Sequence, residues 1–158
     1  MNSRNKRKFW DERTAGPIKA IHPSTGKVIE VDPQKDAKVS SDLTRELMRI
    51  GPLYGWYAQL RDQASTQLRE ARYVEHCVDE DVYAELRAKN PKATETVIKM
   101  AVRKDPRMRK AFRERMDAEE MYEKLKSAVD TMVQKGYALT NLTNLHRTER
   151  SMKESVID

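Results

Sequence analysis

Basic side chains gather in two short segments of the chain, and this clustering points to a definite chemistry. Residues 1–8 contain four basic residues and no acidic one, whereas residues 99–115 contain eight basic residues against two acidic ones. Clustered Lys and Arg neutralise neighbouring phosphates and release condensed counterions, which favours a polyanion-binding surface. A solvated helix face and a basic tail are the alternative interpretation of the same charges. The residues are Arg4, Lys6, Arg7, Lys8, Lys99, Arg103, Lys104, Arg107, Arg109, Lys110, Arg113 and Arg115.

A predicted break at Asp105–Pro106 divides the second basic segment between two helices, so its cations form a patch and not a ring around one helix. Lys and Arg supply point charges and planar forks for phosphate oxygens. Two arginines three residues apart on another helix share a face and extend that surface. Contacts of this kind are directed at the backbone and tolerate any sequence. The predicted nucleic-acid-binding residues are Arg69, Arg72, Arg103, Lys104, Arg107, Arg109 and Lys110.

Few aromatic residues are placed to stack on unpaired bases. Trp56 faces away from the apolar stripe of its helix, so it is a candidate for stacking or for covering a subunit contact. Tyr57 and Tyr122 lie on apolar stripes and are predicted to be core residues.

Catalytic and metal-binding patterns are absent from the sequence. His22, His76 and His146 are far apart, and Cys77 has no second thiol, so a zinc site lacks ligands. Adjacent helical positions point about 100° apart, so His76 cannot activate Cys77, which is predicted to be a core residue. Ser24–Lys27 lacks the first glycine of a phosphate loop and is predicted to be a turn. We expect no enzymatic activity, no metal and no cofactor.

The composition favours long helices with narrow apolar stripes. Of the 158 residues, 35% are charged, 38% are hydrophobic and 6% are aromatic, with a formal net charge of +6. No apolar run can span a membrane, and we expect no membrane partner. A single cysteine and the lack of a signal peptide favour a cytoplasmic location, that of the host cell if a phage encodes the protein.

Residues 1–39 are predicted to form a basic N-terminal arm, and residues 40–158 a helical domain for DNA binding and oligomerisation. In the arm, the mostly apolar stretches Ile18–Ile21 and Val28–Val31 flank a loop that contains Pro23 and Gly26, which predicts a β-hairpin. A lone two-stranded hairpin is marginally stable in water, so it must pack on another element or stay mobile.

Helix signals divide the rest of the chain. Ser40–Asp42 is predicted to cap a short helix that ends at Gly51–Pro52, because proline disfavours α geometry at the preceding residue. An amphipathic helix of about nine turns follows and ends at Asn90–Pro91. Its predicted apolar stripe comprises Leu53, Tyr57, Leu60, Ala64, Leu68, Ala71, Val74, Val78, Val82 and Leu86.

Three further helices are predicted towards the C-terminus. Thr94 is expected to cap a short one, and Asp105–Pro106 begins a long one that a left-handed glycine closes at Lys135–Gly136. The predicted apolar face of the short helix comprises Val97, Ile98, Ala101 and Val102. That of the long helix comprises Ala111, Ala118, Tyr122, Leu125, Val129 and Met132. That of the last helix comprises Leu139, Leu142, Leu145, Met152 and Val156. The predicted class is all-α: a long antiparallel helical hairpin with short accessory helices, a β-hairpin arm and an oligomeric assembly.

Five stretches of the chain resemble the UvsY-type recombination mediators of tailed phages. They are Lys92–Ile98, Val102–Pro106, Leu125–Val129, Gln134–Leu139 and Asn144–Arg147. The resemblance covers about residues 53–150 and is most specific over 92–106 and 134–147. The family carries a basic motif on its long helix, with the two cations separated by one residue. The nearest match in this sequence is Leu68–Arg72, whose two arginines are three positions apart.

This resemblance implies a small helical protein that forms a ring-like homo-oligomer and binds single-stranded DNA without sequence preference. It also implies two protein partners, a RecA-type recombinase and the phage single-stranded DNA-binding protein that the recombinase displaces. The alternative is a structural or interaction protein of a phage, with no enzymatic activity, whose basic patch docks an acidic protein partner.

Overall fold

The computed structural model describes residues 17–154, with side chains described as far as residue 152. The order of the elements is β1 (Ile18–Ile21), β2 (Val28–Val31), α1 (Pro33–Ala37), α2 (Leu43–Lys89), α3 (Glu95–Lys104) and α4 (Pro106–Glu154). The predicted all-α class with a β-hairpin arm is confirmed. The basic cluster of residues 1–8 lies outside the described residues, as does Val156.

The predicted hairpin is present, with β1 and β2 antiparallel and Ile18 paired with Val31. Its loop closes through two backbone bonds: the amide of His22 donates to the carbonyl of Lys27, and the amide of Gly26 donates to the carbonyl of His22. Gly26 adopts a φ of +65°, a left-handed conformation that glycine reaches without steric cost. The buried side chains of Ile18 and Ala20 lie on one face of β1 and anchor the hairpin.

The described chain divides into two compact units. One is formed by the chain up to Arg61 together with the chain from Lys124 onward, and the other by Asp62–Glu123. Helices α2 and α4 each contribute to both units. The first unit, which we call the arm unit, contains the hairpin and α1; the second, which we call the tip unit, contains α3.

Helix α1 is fastened into the arm unit by polar groups. The ammonium of Lys135 donates to the carbonyl oxygens of Asp36 (2.8 Å) and Lys38 (3.0 Å) and pairs with the carboxylate of Glu46. The hydroxyl of Tyr57, a fully buried residue, donates to the Asp36 carboxylate at 2.9 Å. Burial and this carboxylate raise the pKa of Tyr57 above its ordinary value. The arm therefore packs on the helices through hydrogen bonds as well as apolar side chains.

The predicted break at Gly51–Pro52 is wrong, because α2 continues through Pro52 as one helix. Asp42 does cap this helix, since its carboxylate accepts from the amide of Arg45 at 3.0 Å. A proline inside a helix costs about 3 kcal/mol. Tyr57 and Leu60, both buried, lie in the turns that follow Pro52. Burying each side chain stabilises the protein by about 1.5–3 kcal/mol, which together offsets the cost of the proline.

The predicted helix end at Lys135–Gly136 is also wrong, because α4 runs to Glu154 without interruption. Gly136 is helical, and Gly26 is the one glycine of residues 17–154 with a positive φ. Met132 and Leu139 lie on either side of Gly136 and are 1% and 0% exposed. Burying them outweighs the cost of about 1 kcal/mol for a glycine in a helix.

The antiparallel hairpin is confirmed in the tip unit, where residue numbers rise along α2 as the numbers of their partners fall along α4. Arg72 pairs with Glu119, Glu75 with Arg115, and Glu85 with Arg107. Two details of the predicted stripes are wrong, because Val74 and Val97 are exposed. Next to Val74, the carboxylate of Glu75 pairs with the guanidinium of Arg115 on α4, so this level of the hairpin is joined by charge.

Other predicted core positions are less buried than expected. Leu142, Leu145 and Met152 on the last part of α4 are exposed, whereas Leu139 is buried. Cys77 and Tyr122 are half-buried.

Candidate nucleic-acid interface

The cationic residues of 99–115 lie on the tip unit, where α3 ends and α4 begins. Asp105 is the single residue between the two helices, and its amide donates to the carbonyls of Ala101 and Val102. Its carboxylate accepts from the amide of Arg107 at 2.8 Å, and Pro106 occupies the first position of α4. The predicted cap at Asp105–Pro106 is confirmed. Cations therefore project both from the last turn of α3 and from the first turns of α4.

An apolar cluster holds α3 in place. Ile98 and Val102 of α3 are buried together with Val82 of α2. Partly buried apolar residues surround the three, namely Val78, Tyr83, Leu86, Ala93 and Met108. Thr94 precedes α3 as predicted, but its side chain makes no capping hydrogen bond. Tertiary packing, and not a local cap, therefore positions the short helix that carries Lys99, Arg103 and Lys104.

Arg107 is bound by two carboxylates of its own chain. Its terminal nitrogens lie 2.8 Å from the two carboxylate oxygens of Glu85, and its Nε lies 3.3 Å from the carboxylate of Asp105. The hydrogen bonds from this guanidinium lower the pKa of Glu85 and that of Asp105. One positive charge is thus matched by two negative ones, so Arg107 joins the helices and offers little charge to a polyanion.

Arg72 and Arg115 are also paired. The guanidinium of Arg72 lies 3.2 Å from the Glu119 carboxylate, and that of Arg115 lies 2.6 Å from Glu75 and 2.7 Å from Glu119. These contacts connect α2 and α4 across the tip unit. Arg69, predicted with Arg72 to extend the surface, donates to the hydroxyl of Thr66 at 3.2 Å.

Three of the predicted binding residues keep their charge available. Arg103, Lys104 and Arg109 are exposed, and none of them has a carboxylate partner within the described part of the chain. Lys110 is also exposed, and its ammonium makes a long contact of 3.8 Å to the carboxylate of Glu114 on the same helix. We call Arg103, Lys104 and Arg109 the open cationic surface. Its exposed cations attract a polyanion.

Sequence reasoning overlooked a cleft beside the open cationic surface. It has a volume of about 320 Å³ and is lined by Asp79, Tyr83, Lys99, Val102 and Arg103. The hydroxyl of Tyr83 donates to the carboxylate of Glu95 at 2.7 Å, which raises the pKa of Tyr83 and lowers that of Glu95. The sequence did contain a signal for this cleft in the spacing of its lining residues. Asp79 and Tyr83 on α2 are four residues apart and share a helix face, as do Lys99 and Arg103 on α3.

Trp56 lies in the arm unit and contacts the hairpin loop. Its ring centroid is 5.0 Å from that of His22, with 54° between the ring planes. The residue is half-buried, so part of its surface is covered by the arm.

The described residues offer neither a metal site nor a membrane-spanning helix. Residues 17–154 contain no group of three or more His, Cys, Asp or Glu side chains placed to hold a metal ion. No helix within that range is long and apolar enough to cross a membrane.

Comparison with known proteins identifies the fold. No family model matches the sequence, and no curated protein matches it either. Among solved structures, the crystal structure of the recombination mediator protein UvsY of bacteriophage T4 superposes with a TM-score of 0.66 at 13% sequence identity. The match covers 74% of this chain and 92% of the UvsY chain. The chain therefore has the fold of the UvsY recombination mediator, as its resemblance to that family predicted.

Proposed function

We propose that this protein is a recombination mediator that binds single-stranded DNA through its phosphates and helps to load a RecA-type recombinase. In this role it acts where a phage single-stranded DNA-binding protein covers the strand. The observation that carries the proposal is the fold shared with UvsY, which extends over 92% of that mediator. The open cationic surface supports the DNA-binding part of the proposal.

The chemistry of this surface suits a phosphate backbone. Arg103 and Lys104 end one helix, and Arg109 lies in the first turn of the next, so their charges face a ligand from two elements. Arg103 and Lys104 in the last turn of α3 form no ion pair with a carboxylate of residues 17–154, whereas Arg107 is already paired with Glu85. Contacts of this type position a strand without reading its bases, which suits a mediator that must act on any sequence.

We also propose that the protein works without catalysing a reaction, as a ring-like homo-oligomer in the cytoplasm of an infected host cell. Exposed apolar side chains on the arm unit support self-association. They include Met48 and Tyr54 on α2, and Tyr137, Leu145 and Met152 on α4. Exposed apolar groups in such number are typical of surfaces that another protein covers.

The first experiment measures fluorescence anisotropy of a labelled single-stranded oligonucleotide over a salt series, with the duplex as control and light scattering on the same samples. We expect binding by an oligomer, with a log–log salt dependence of about −0.7 per phosphate contacted. The variant Arg103→Glu/Arg109→Glu should lose binding. Lys19→Glu/Lys27→Glu, which makes the same charge change on exposed residues of the hairpin, should retain most of it.

Absence of single-strand binding at low salt would overturn the DNA-binding proposal and would favour an acidic protein as the partner of the surface. Recombinase loading has its own test. The protein should restore filament assembly by a RecA-type recombinase on DNA already covered with single-stranded DNA-binding protein. The Arg103→Glu/Arg109→Glu variant should fail to do so.

A further inference from the structure

The cleft on the tip unit is open to solvent and is lined by two cations, a carboxylate, an aromatic ring and a valine. Its volume of about 320 Å³ lies at the lower end of the range for ligand pockets, which run from about 300 to 1,000 Å³. A single nucleotide is a group of this order of size. Two nucleotides side by side would exceed it.

The two walls of the cleft differ in chemistry. Lys99 and Arg103 come from α3 and present two cations, of which Arg103 has no carboxylate partner within the described residues. Asp79 and Tyr83 come from α2 and present a carboxylate and an aromatic ring. A phosphate is attracted to the α3 wall and repelled by Asp79 on the α2 wall. An anionic ligand with an apolar end is therefore oriented in one direction.

Tyr83 is held in position before any ligand arrives. Its hydroxyl donates to Glu95 at 2.7 Å, and its ring packs beside the buried cluster of Val82, Ile98 and Val102. Glu95 in turn lies 3.3 Å from the ammonium of Lys99. A ring whose rotamer is already fixed loses little conformational entropy when a planar group packs on it.

We propose that this cleft accepts one nucleotide of the bound single strand, with the base against Tyr83 and the phosphate at Arg103 and Lys99. The inference rests on the proposed function, since it places one unit of the DNA strand next to the open cationic surface. It adds a base contact to a surface that otherwise meets only phosphates. Stacking on an aromatic ring tolerates every base, so the contact discriminates single strands from duplexes and not one sequence from another.

The test compares a single-stranded oligonucleotide with the same strand in which the bases are replaced by abasic sites. In the full-length protein, loss of the bases should weaken binding about fivefold, the effect of one modest stacking contact. Tyr83→Leu should weaken binding of the intact strand by a similar factor and should show no further loss with the abasic strand. Tyr83→Phe, which keeps the ring, should retain the difference between the two strands.

Tyr73→Leu is the matched control, because it removes an exposed tyrosine from the same helix outside the cleft. It should retain the full difference between intact and abasic strands. If Tyr83→Leu fails to fold, Lys99→Gln decides, since this exposed residue lines the cleft, lies outside the open cationic surface and can lose its charge without disturbing the core. We expect it to reduce the log–log salt slope by about 0.7, whereas Lys19→Gln should not change the slope.

Two outcomes would overturn the inference. One is an abasic penalty of equal size in the wild-type protein and in Tyr83→Leu. The other, where only the charge variant can be measured, is an unchanged salt slope in Lys99→Gln. Failure of the proposed function looks different, because the wild-type protein would then bind neither strand at low salt.

Discussion

The ammonium of Lys135 lies 2.5 Å from the carboxylate of Glu46, with 1% and 7% of the two side chains exposed. The remaining hydrogens of the ammonium go to the carbonyls of Asp36 and Lys38. All three donors of the lysine are therefore used inside the protein. The pair is buried in the arm unit, where neither charge can turn to solvent if its partner is removed.

Lys135→Met is expected to lower the Tm by about 10 °C, because it leaves the Glu46 carboxylate buried without its counter-charge. Circular dichroism melting measures the change. Lys110→Met removes a lysine from an exposed ion pair and should shift the Tm by no more than about 2 °C. Adding Glu46→Leu to Lys135→Met should restore part of the loss. A double variant less stable than Lys135→Met would show that the unpaired Glu46 carboxylate is not the cause of the lower Tm.

Acid is expected to destabilise the protein below about pH 4.5. The hydrogen bond from Lys135 lowers the pKa of Glu46 from its ordinary 4.5, and Arg107 lowers the pKa values of Glu85 and Asp105. The unfolded chain then binds protons more readily than the folded one. The stabilisation is complete above the unfolded pKa values and is lost as the pH falls through the folded ones. Melting curves at stepped pH values test this, and Glu46→Gln should show a smaller acid-induced decrease than the wild type.

Arg103 and Arg107 are expected to behave differently although both belong to the same basic segment. Arg103→Gln and Arg109→Gln should each reduce the log–log salt slope of DNA binding by about 0.7, one phosphate contact apiece. Arg107→Gln should change the slope by less than half of that, since Glu85 and Asp105 already neutralise the guanidinium. Equal slopes for Arg103→Gln and Arg107→Gln would show that DNA displaces the carboxylates.

Gly51→Ala and Gly55→Ala are each expected to stabilise the protein by about 1 kcal/mol. Both glycines lie inside α2, and a Cβ added at either position meets no atom within 4 Å. The substitution removes the entropic cost of a helical glycine without a steric penalty. Urea unfolding followed by circular dichroism gives the free energy. A loss of stability at either site would indicate that a second copy of the chain approaches the helix there.

The fold could be predicted from the sequence wherever the residues that begin or end an element lie within that element or next to it. The Pro/Gly loop between Ile18–Ile21 and Val28–Val31, the aspartate and proline that begin α4, and the end of α2 before Asn90 are all of this kind. The breaks predicted at Pro52 and Gly136 failed for the opposite reason. A helix breaker acts on one turn, whereas burial of Tyr57 or Leu139 depends on residues far away in the sequence.

The candidate site was less predictable than the fold. Sequence locates the cations, but it cannot say that Glu85 lies opposite Arg107 on another helix or that Arg103 has no such neighbour. That distinction depends on the register between α2 and α4. The cleft was overlooked because Tyr83 and Lys99 belong to different helices, which only the packing of Val82 against Ile98 and Val102 brings together.

The bonds from Lys135 to Asp36 and Lys38 join residues 99 and 97 positions apart in the chain. Contacts of such long range form late in folding, because a large loop must close before they contribute. During synthesis, the strands of the arm leave the ribosome first, yet the lysine that fastens α1 is made about a hundred residues later. We therefore expect α2 and α4 to pair before the arm docks. The arm is therefore expected to finish packing only after Lys135 has left the ribosome.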